Sequence, residues 1–577
     1  MIKAKSVLWS LALCTVGATA QNTGSTKHED FSKPFRTVDY SLVSKLHRIK
    51  SRSASAVRPA HVHNGLTPYF APTFNQDNGS CGSAAYIAYQ MAHELNAYRG
   101  TYGNVEHNML PTHFTWLLTY GNSDKADMAK AIGVPPVDVY GGRTYSRQLG
   151  SYDWDSPDAG WMQGYDKWYS AMWNRVSDNV SLPYSLAAED GRELLKNWLW
   201  NHFGDESFKA GGVAGIGVAS GGVWADIPST PANNDAGVTG MKYVKQWGTS
   251  VDHALTIVGY DDRIEFDLNG NGVYGEKDAD EVGAWIIANS WGNGWCNGGF
   301  IYCPYAYGGA WFTADGKFST DSWWTPGLIY IRKDYVPQRT IRLRMDHSRR
   351  SEMYLSAGVS ADLNAVEPEF GCAFEHFKYA GDGHNGDSIP APEVPMLGRW
   401  ADGKLHDEPM EFGYDLTDIT NQLDPNLPLK YFFTVTTRDG ALGEGHIYDA
   451  SIIDYVISPD GMSTPFDITA PGGVKIEKGG GKTYITVVVN GRGSYPPRNV
   501  SVGDGALCWD EPMRSGQTLT GYRIYSGDKL LGETDAAARS FELPDADVRT
   551  YAVSALYGTQ ESKQVMVEVP GLSLIHI

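Results

Sequence analysis

The order of apolar and polar positions divides the chain into five stretches. Met1 to Ala20 opens with Lys3 and Lys5, runs through an apolar core ending at Val16, and closes on Ala18-Thr19-Ala20. That is the three-part layout of a cleaved secretory signal. Leu13, large and directly before Cys14, argues against lipid attachment there. Residues 21–55 are polar and Ser/Lys-rich, a leader or linker. From 56 to 335, helical periodicity at 84–97 and 190–203 is mixed with apolar strands at 212–218 and 253–260, the texture of an α+β domain. After Pro337 strands alternate with long polar loops, as in Thr340 to Arg344 and Lys430 to Val435, and 337–470 reads as an antiparallel, jelly-roll-like β-sandwich. The breakers Pro471-Gly472-Gly473 and Gly479-Gly480-Gly481 suit a boundary, so 471–570 is expected to form a third unit. The expectation is a multidomain chain, α+β first and then two all-β sandwiches.

Length and charge narrow the partners. A chain of 577 residues allows about three or four domains. A formal net charge of −19 repels phosphate backbones and makes nucleic acid a poor partner. No window approaches the ~18 consecutive apolar residues of a membrane helix, so the mature chain is expected to be secreted, periplasmic or held at the cell surface. Without the signal there remain Cys81, Cys296, Cys303, Cys372 and Cys508, an odd set too sparse for a disulfide framework.

Three segments carry candidate chemistry: Gln76 to Ala84, containing Gly79-Ser80-Cys81-Gly82-Ser83; Val251-Asp252-His253-Ala254; and Asn289-Ser290-Trp291-Gly292-Asn293-Gly294-Trp295. Amide hydrolysis needs a nucleophile, a group that takes and returns its proton, and donors for the oxyanion. Cys81 stands where a Gly/Ser loop enters a helical run, and a helix N-terminus with a nearby imidazolium favours thiolate. His253 can supply the imidazole, Asn289 can hold it through its amide oxygen, and Gln76 can aim its NH2 at the oxyanion. The midpoint of His253 and Asn289 falls at 271, inside an Asn/Gly loop, so a hairpin turning there would set the two side chains opposite each other.

These segments, in this order, resemble the papain-like cysteine peptidases, and the chain with its appended β modules resembles their exported bacterial type. The resemblance covers roughly 56–335. It implies Gln76 in the oxyanion hole, Cys81 as nucleophile, His253 as acid and base, Asn289 orienting it, and Trp291 covering the His–Asn bond, with no cofactor for catalysis. The loop departs from the family pattern, in which two cysteines flank Gly-Ser and the second attacks. Aligned without a gap, Cys81 takes the structural position and Ala84 that of the nucleophile, which predicts an inactive protein. Shifting the loop by three restores Gln76 and Cys81 together and is the preferred alignment.

A further motif is the run Asp267 to Asp278. Oxygen-bearing side chains at Asp267, Asn269, Asn271 and Asp278, with the carbonyl of Val273 and glycine at the sixth position, follow the spacing of an EF-hand-type loop and suggest a structural Ca2+. At about 3.3 Å per residue it lies ~25 Å from His253, too far for chemistry. His93 and His376 lack a second histidine at metal-ligand spacing and are expected to be structural. Trp161 to Tyr169 suits a cleft wall or a core. Trp509, Tyr522 and Tyr551, with the strands around them, resemble a fibronectin type III module over about 495–570. Leu572 to Ile577 has the look of adapter-derived sequence. The expected function is a secreted cysteine endopeptidase acting on proteins or peptides, its β modules holding a surface, glycan or protein ligand. An inactive papain-like adhesin or peptide-binding protein is the alternative, and a transferase using the same thiol is a third.

Overall fold

The computed structural model describes residues 57–568 apart from 77–78, 120–124, 143–161, 183–184, 309–310, 313–317, 320–325, 380–393, 399–404, 504, 514 and 545–549, together with the backbone of a two-residue strand, Arg36–Thr37. The expected signal, Trp161 and the last residues lie outside the described residues. Within the expected leader, Arg36–Thr37 pairs parallel with Phe370 and Gly371 at a sandwich edge.

One helix organises the first domain. Helix α1 runs unbroken through Cys81–Ser83, Ala84–Met91 and Ala92–Arg99, the middle stretch with π-type hydrogen bonding. It stops at Gly100, whose φ of 70° lets its N–H close back on the Asn96 carbonyl. The helix is buried nearly all round, and its polar residues Gln90, His93, Glu94 and Asn96 are hydrogen-bonded to surrounding backbone where they enter the interior. Ile87, Met91 and Leu95 enter a core shared with α2 (Thr112–Thr119), α3 (Lys125–Ile132) and α4 (Tyr165–Met172), while Tyr89 enters another core against a sheet.

That sheet has nine strands: β1 (His61–His63), β2 (Val176–Ser181), β3 (Ala214–Val218), β4 (Val223–Asp226), β5 (Lys242–Gln246), β6 (His253–Glu265), β7 (Val282–Ala288), β8 (Phe300–Pro304) and β9 (Gly327–Ile331). Their order is β2-β9-β3-β6-β7-β8-β5-β4, with β1 also on β6. Both faces of its centre are covered. Leu255, Ile257, Trp285 and Ile287 meet Leu195, Trp198 and Leu199 of α5 (Glu189–Asn201), while Val258, Ala284, Ile286 and Ala288 pack with Tyr89. This two-sided burial explains why β6 reads as a continuous apolar run.

The following sandwich stacks Phe370–Phe374, Met353–Ser360, Leu429–Thr437 and Lys482–Val489 on Met410–Asp415, Arg339–His347, Gly445–Asp454 and Met462–Pro465. Lys482–Val489 lies beyond the glycine-rich stretch expected as a boundary, yet it pairs along its length with Leu429–Thr436. The last unit is a smaller two-sheet sandwich with Trp509, Tyr522 and Tyr551 in its core.

No linker separates the first domain from the sandwich. Trp168 is buried and packs on Phe412 and Tyr414 across the seam. The Tyr165 hydroxyl meets those of Thr340 (2.6 Å) and Tyr455 (2.9 Å). Arg175 pairs with Asp415 at 2.7 Å with both side chains buried, and Arg332 grips Asp418 through two bonds of 2.6 and 2.9 Å. Met162, Tyr165 and Trp168 of the Trp161 to Tyr169 segment are therefore core at this seam, while Gln163 and Asp166 are exposed.

Candidate active site

The three segments converge where α1 begins against the ends of β6 and β7. Cys81 is the first residue of α1, following the Gly79-Ser80 turn. It is 1% exposed and packs with Ala85, one turn on, against Ala254 of β6. The Thr256 hydroxyl donates to the Ala85 carbonyl at 3.0 Å and pins the same face of α1 to the strand. Ala84 is fully buried, and Ser83 accepts a hydrogen bond from Thr115 of α2. The glycine at 82 leaves room for Lys125: a Cβ there would stand 2.8 Å from its Cε and 3.0 Å from its Nζ.

His253 opens β6 and is 5% exposed. Its Nε2 lies 2.8 Å from Asn289 Oδ1, which also receives the Ser290 N–H at 2.7 Å. A backbone N–H can only donate, so the atom it meets is the amide oxygen. His253 Nε2 must then carry the proton, and Nδ1 holds the lone pair whenever the ring is neutral. Trp291 lies over the imidazole with ring centroids 4.8 Å apart and planes 23° from parallel. At 38% exposure it stands between that hydrogen bond and solvent.

The hairpin differs from the symmetric one expected. Thr256 pairs with Ala288, and bulges at Val258 and between Asp261 and Glu265 shift the register. Extending the ladder sets Asn289 opposite Leu255, two residues from His253. Asn289 lies just past β7, held by its N–H to the Gly299 carbonyl at 2.9 Å, and the side chains meet diagonally, which long polar groups can span.

Gln76 is brought in by backbone pairing. Its N–H donates to the Ser290 carbonyl at 2.7 Å, and the Gly292 N–H donates to the Phe74 carbonyl at 3.0 Å. The Ser290 hydroxyl donates to Gln76 Oε1 at 2.6 Å, which turns the amide NH2 to the opposite side. Two residues to which the sequence reading gave no role tie the site together. Buried Ser290 contacts Asn289 and Gln76 through three separate groups. Tyr89 of α1 donates to the Asn289 carbonyl (3.1 Å) and accepts from the Phe74 N–H (3.2 Å). Ser290 was visible within its motif, whereas nothing local marks Tyr89.

Aromatic rings continue from the site, from Trp291 to Trp295 (5.7 Å), Trp224 (6.0 Å) and Trp247 (5.8 Å), each pair near-perpendicular. No disulfide joins any two of Cys81, Cys296, Cys303, Cys372 and Cys508. Burial raises the Cys296 thiol to about 11 and holds Cys303 well above the ordinary thiol range, so both stay protonated near neutrality. His93 Nε2 donates to the Gly211 carbonyl at 2.8 Å and His376 meets the Tyr414 hydroxyl at 3.2 Å, both inside cores.

At the hairpin tip Asp267 accepts the N–H groups of Gly270, Asn271 and Gly272. The amide nitrogens of Asn269 and Asn271 donate to Glu276, not Asp278, at 3.0 and 2.6 Å. Val273 is exposed, and Asp278 lies in the short turn Lys277–Ala279. Among the described residues no three His, Cys, Asp or Glu side chains group in a way suited to a metal.

Residues 229–308, a stretch that holds His253 and Asn289, match the papain family cysteine protease profile. No curated protein matches the chain. Among solved structures, procathepsin L 3 from the larval midgut of Tenebrio molitor is 16% identical, with a TM-score of 0.27, over 49% of this chain and 73% of its own. Xylellain, a cysteine protease from Xylella fastidiosa, is 17% identical with a TM-score of 0.29, over 49% and 90%. Bromelain from Ananas comosus, in complex with the E64 inhibitor, is 14% identical with a TM-score of 0.26, over 48% and 100%. Likeness at this level says nothing about substrate.

Proposed function

We propose that this chain is an exported cysteine endopeptidase with Cys81 as nucleophile. The observation that carries the reading is the His253–Asn289 hydrogen bond beneath Trp291, beside the helix that starts at Cys81. The Cys81 thiolate attacks a peptide carbonyl carbon, and the oxyanion is met by the Cys81 N–H and the Gln76 NH2. As the tetrahedral adduct collapses the C–N bond breaks, His253 gives its Nδ1 proton to the departing amine, and a thioester remains. Water then loses a proton to His253 and attacks the thioester; the C–S bond breaks, releasing the carboxylate and restoring the thiolate. Asn289 keeps the proton on Nε2 throughout, so proton traffic stays at Nδ1.

Alkylation of Cys81 across pH, mapped by mass spectrometry, tests this. Rapid labelling near pH 5 that is lost in His253→Ala is expected; an apparent pKa near the ordinary ~8.5 rejects an ion-paired thiolate. Casein cleavage by the wild type and not by Cys81→Ala completes the assignment. A second reading, an inactive peptide-binding protein, draws on the near-complete burial of Cys81 and the apolar Ala84 one turn along, and it predicts neither result. Export rests on the Lys3 to Ala20 pattern, and a fibronectin type III identity for the last unit rests on its Trp509–Tyr522 core. Ca2+ at Asp267, Asn269, Asn271, Val273 and Asp278 is supported by spacing alone. It requires the two amides to turn their oxygens inward.

A further inference from the structure

A cavity of about 700 Å3 lies at the far end of α1 from Cys81, some 18 residues or roughly 27 Å along the helix at about 1.5 Å per residue. Its walls are Tyr98 and Arg99 at the end of α1, Tyr169 and Trp173 at the end of α4, and Arg332 and Tyr335 on the segment leading into the sandwich. The volume is that of a small-ligand site.

Its charges are unequally balanced. Arg332 is neutralised by Asp418 and lies 3.6 Å over the Tyr335 ring, and His107 is paired with Asp138; Asp334 accepts from the neutral Tyr98 phenol and keeps its negative charge. Asp166 is exposed at the rim. Arg99 bonds only neutral oxygens among the described residues, Asn174 Oδ1 at 2.7 Å and the Trp173 carbonyl at 2.9 Å, with no carboxylate in ion-pair range. The Arg99 side chain is exposed to solvent at the cavity wall, and the packing around its guanidinium draws its pKa down. A cation held at a cavity wall against neutral acceptors retains N–H groups for a carboxylate, the anion its planar fork fits best. Beside it Trp173 offers an indole 37% exposed, with Tyr169 edge-on at 6.2 Å.

We infer that this cavity binds the carboxy-terminal residue of a short peptide, its carboxylate on Arg99 and an apolar or aromatic side chain against Trp173 and Tyr169. The site is distinct from the cleft at Cys81 and does not depend on the peptidase reading, although a peptidase would generate such ends as products. The full chain carrying Cys81→Ala, which removes turnover, is titrated calorimetrically with acetyl-Ala-Ala-Phe and with its carboxy-terminal amide. The acid should bind at least tenfold more tightly than the amide. Arg99→Gln should abolish that preference, and Trp173→Leu should weaken both ligands while leaving the preference in place. Absence of saturable binding, equal affinity for acid and amide, a preference that survives Arg99→Gln, or tighter binding of glucuronate than of the peptide acid would each overturn the inference. None of these outcomes bears on Cys81 labelling in the unmodified chain.

Discussion

Ser290 is the residue on which the candidate site closes, because it bonds the group that orients the imidazole and the group proposed for the oxyanion. Ser290→Ala removes the hydroxyl alone, and losing one such bond costs about 1 kcal/mol. Turnover of a peptide substrate should fall by about five- to tenfold through kcat, with KM little changed. Gln76→Ala should cost about 100-fold in kcat, the scale of losing one oxyanion donor. Gly82→Ala places a methyl against the Lys125 chain, moves an ammonium from the N-terminal end of α1, and should shift Cys81 alkylation to higher pH with little change in stability. The motif residues were legible in the sequence because each has a distinctive chemistry at a distinctive place. Tyr89 was not, since a tyrosine within an apolar helix reads as core until the loop and strand end it bridges are seen together.

At the scale of elements, α1 and β6 set the site, and each was recognisable by its apolar run. The bulges in the β6–β7 ladder were not, because the twofold alternation persists on both sides of one extra residue. Gly259 next to the first bulge is required by contact: a Cβ would stand 2.0 Å from the Val62 carbonyl of β1. His63 on that strand is half-buried against Phe300, and desolvation of the ring lowers its pKa to about 4. The unfolded chain, titrating near 6.5, binds the proton first. Stability should therefore fall as pH drops from about 6.5 towards 4, and His63→Gln should flatten that part of the acid limb in urea titrations. The hairpin tip has its own test: if the loop takes Ca2+, millimolar CaCl2 raises the Tm over an EDTA control and Asp267→Ala removes the difference.

The whole molecule is less divisible than its sequence texture. Helices α2, α3 and α4 and both sheets of the sandwich line one continuous core, so the helical lobe beside Cys81 is completed by residues beyond 337. Breaking a buried ion pair from one side costs about 3–5 kcal/mol, and Asp415→Ala, which strands Arg175, should destabilise lobe and sandwich together. Calorimetry is expected to show one shared transition for them, and a chain ending at 336 should fail to fold as an isolated domain.

The sequence by itself determined the kinds of element and the chemistry they could carry. Apolar periodicity marks strands and helices, and a thiol, an imidazole and two amides in a set order are readable without coordinates. Tertiary structure alone decided that the cradle for Gln76 is built by Ser290, that bulges bring His253 to Asn289 on the diagonal, and that the lobe and the sandwich share one interior. The reason is physical: local pattern records which face of an element avoids water, while the partner that covers that face is chosen by contacts between residues hundreds of positions apart.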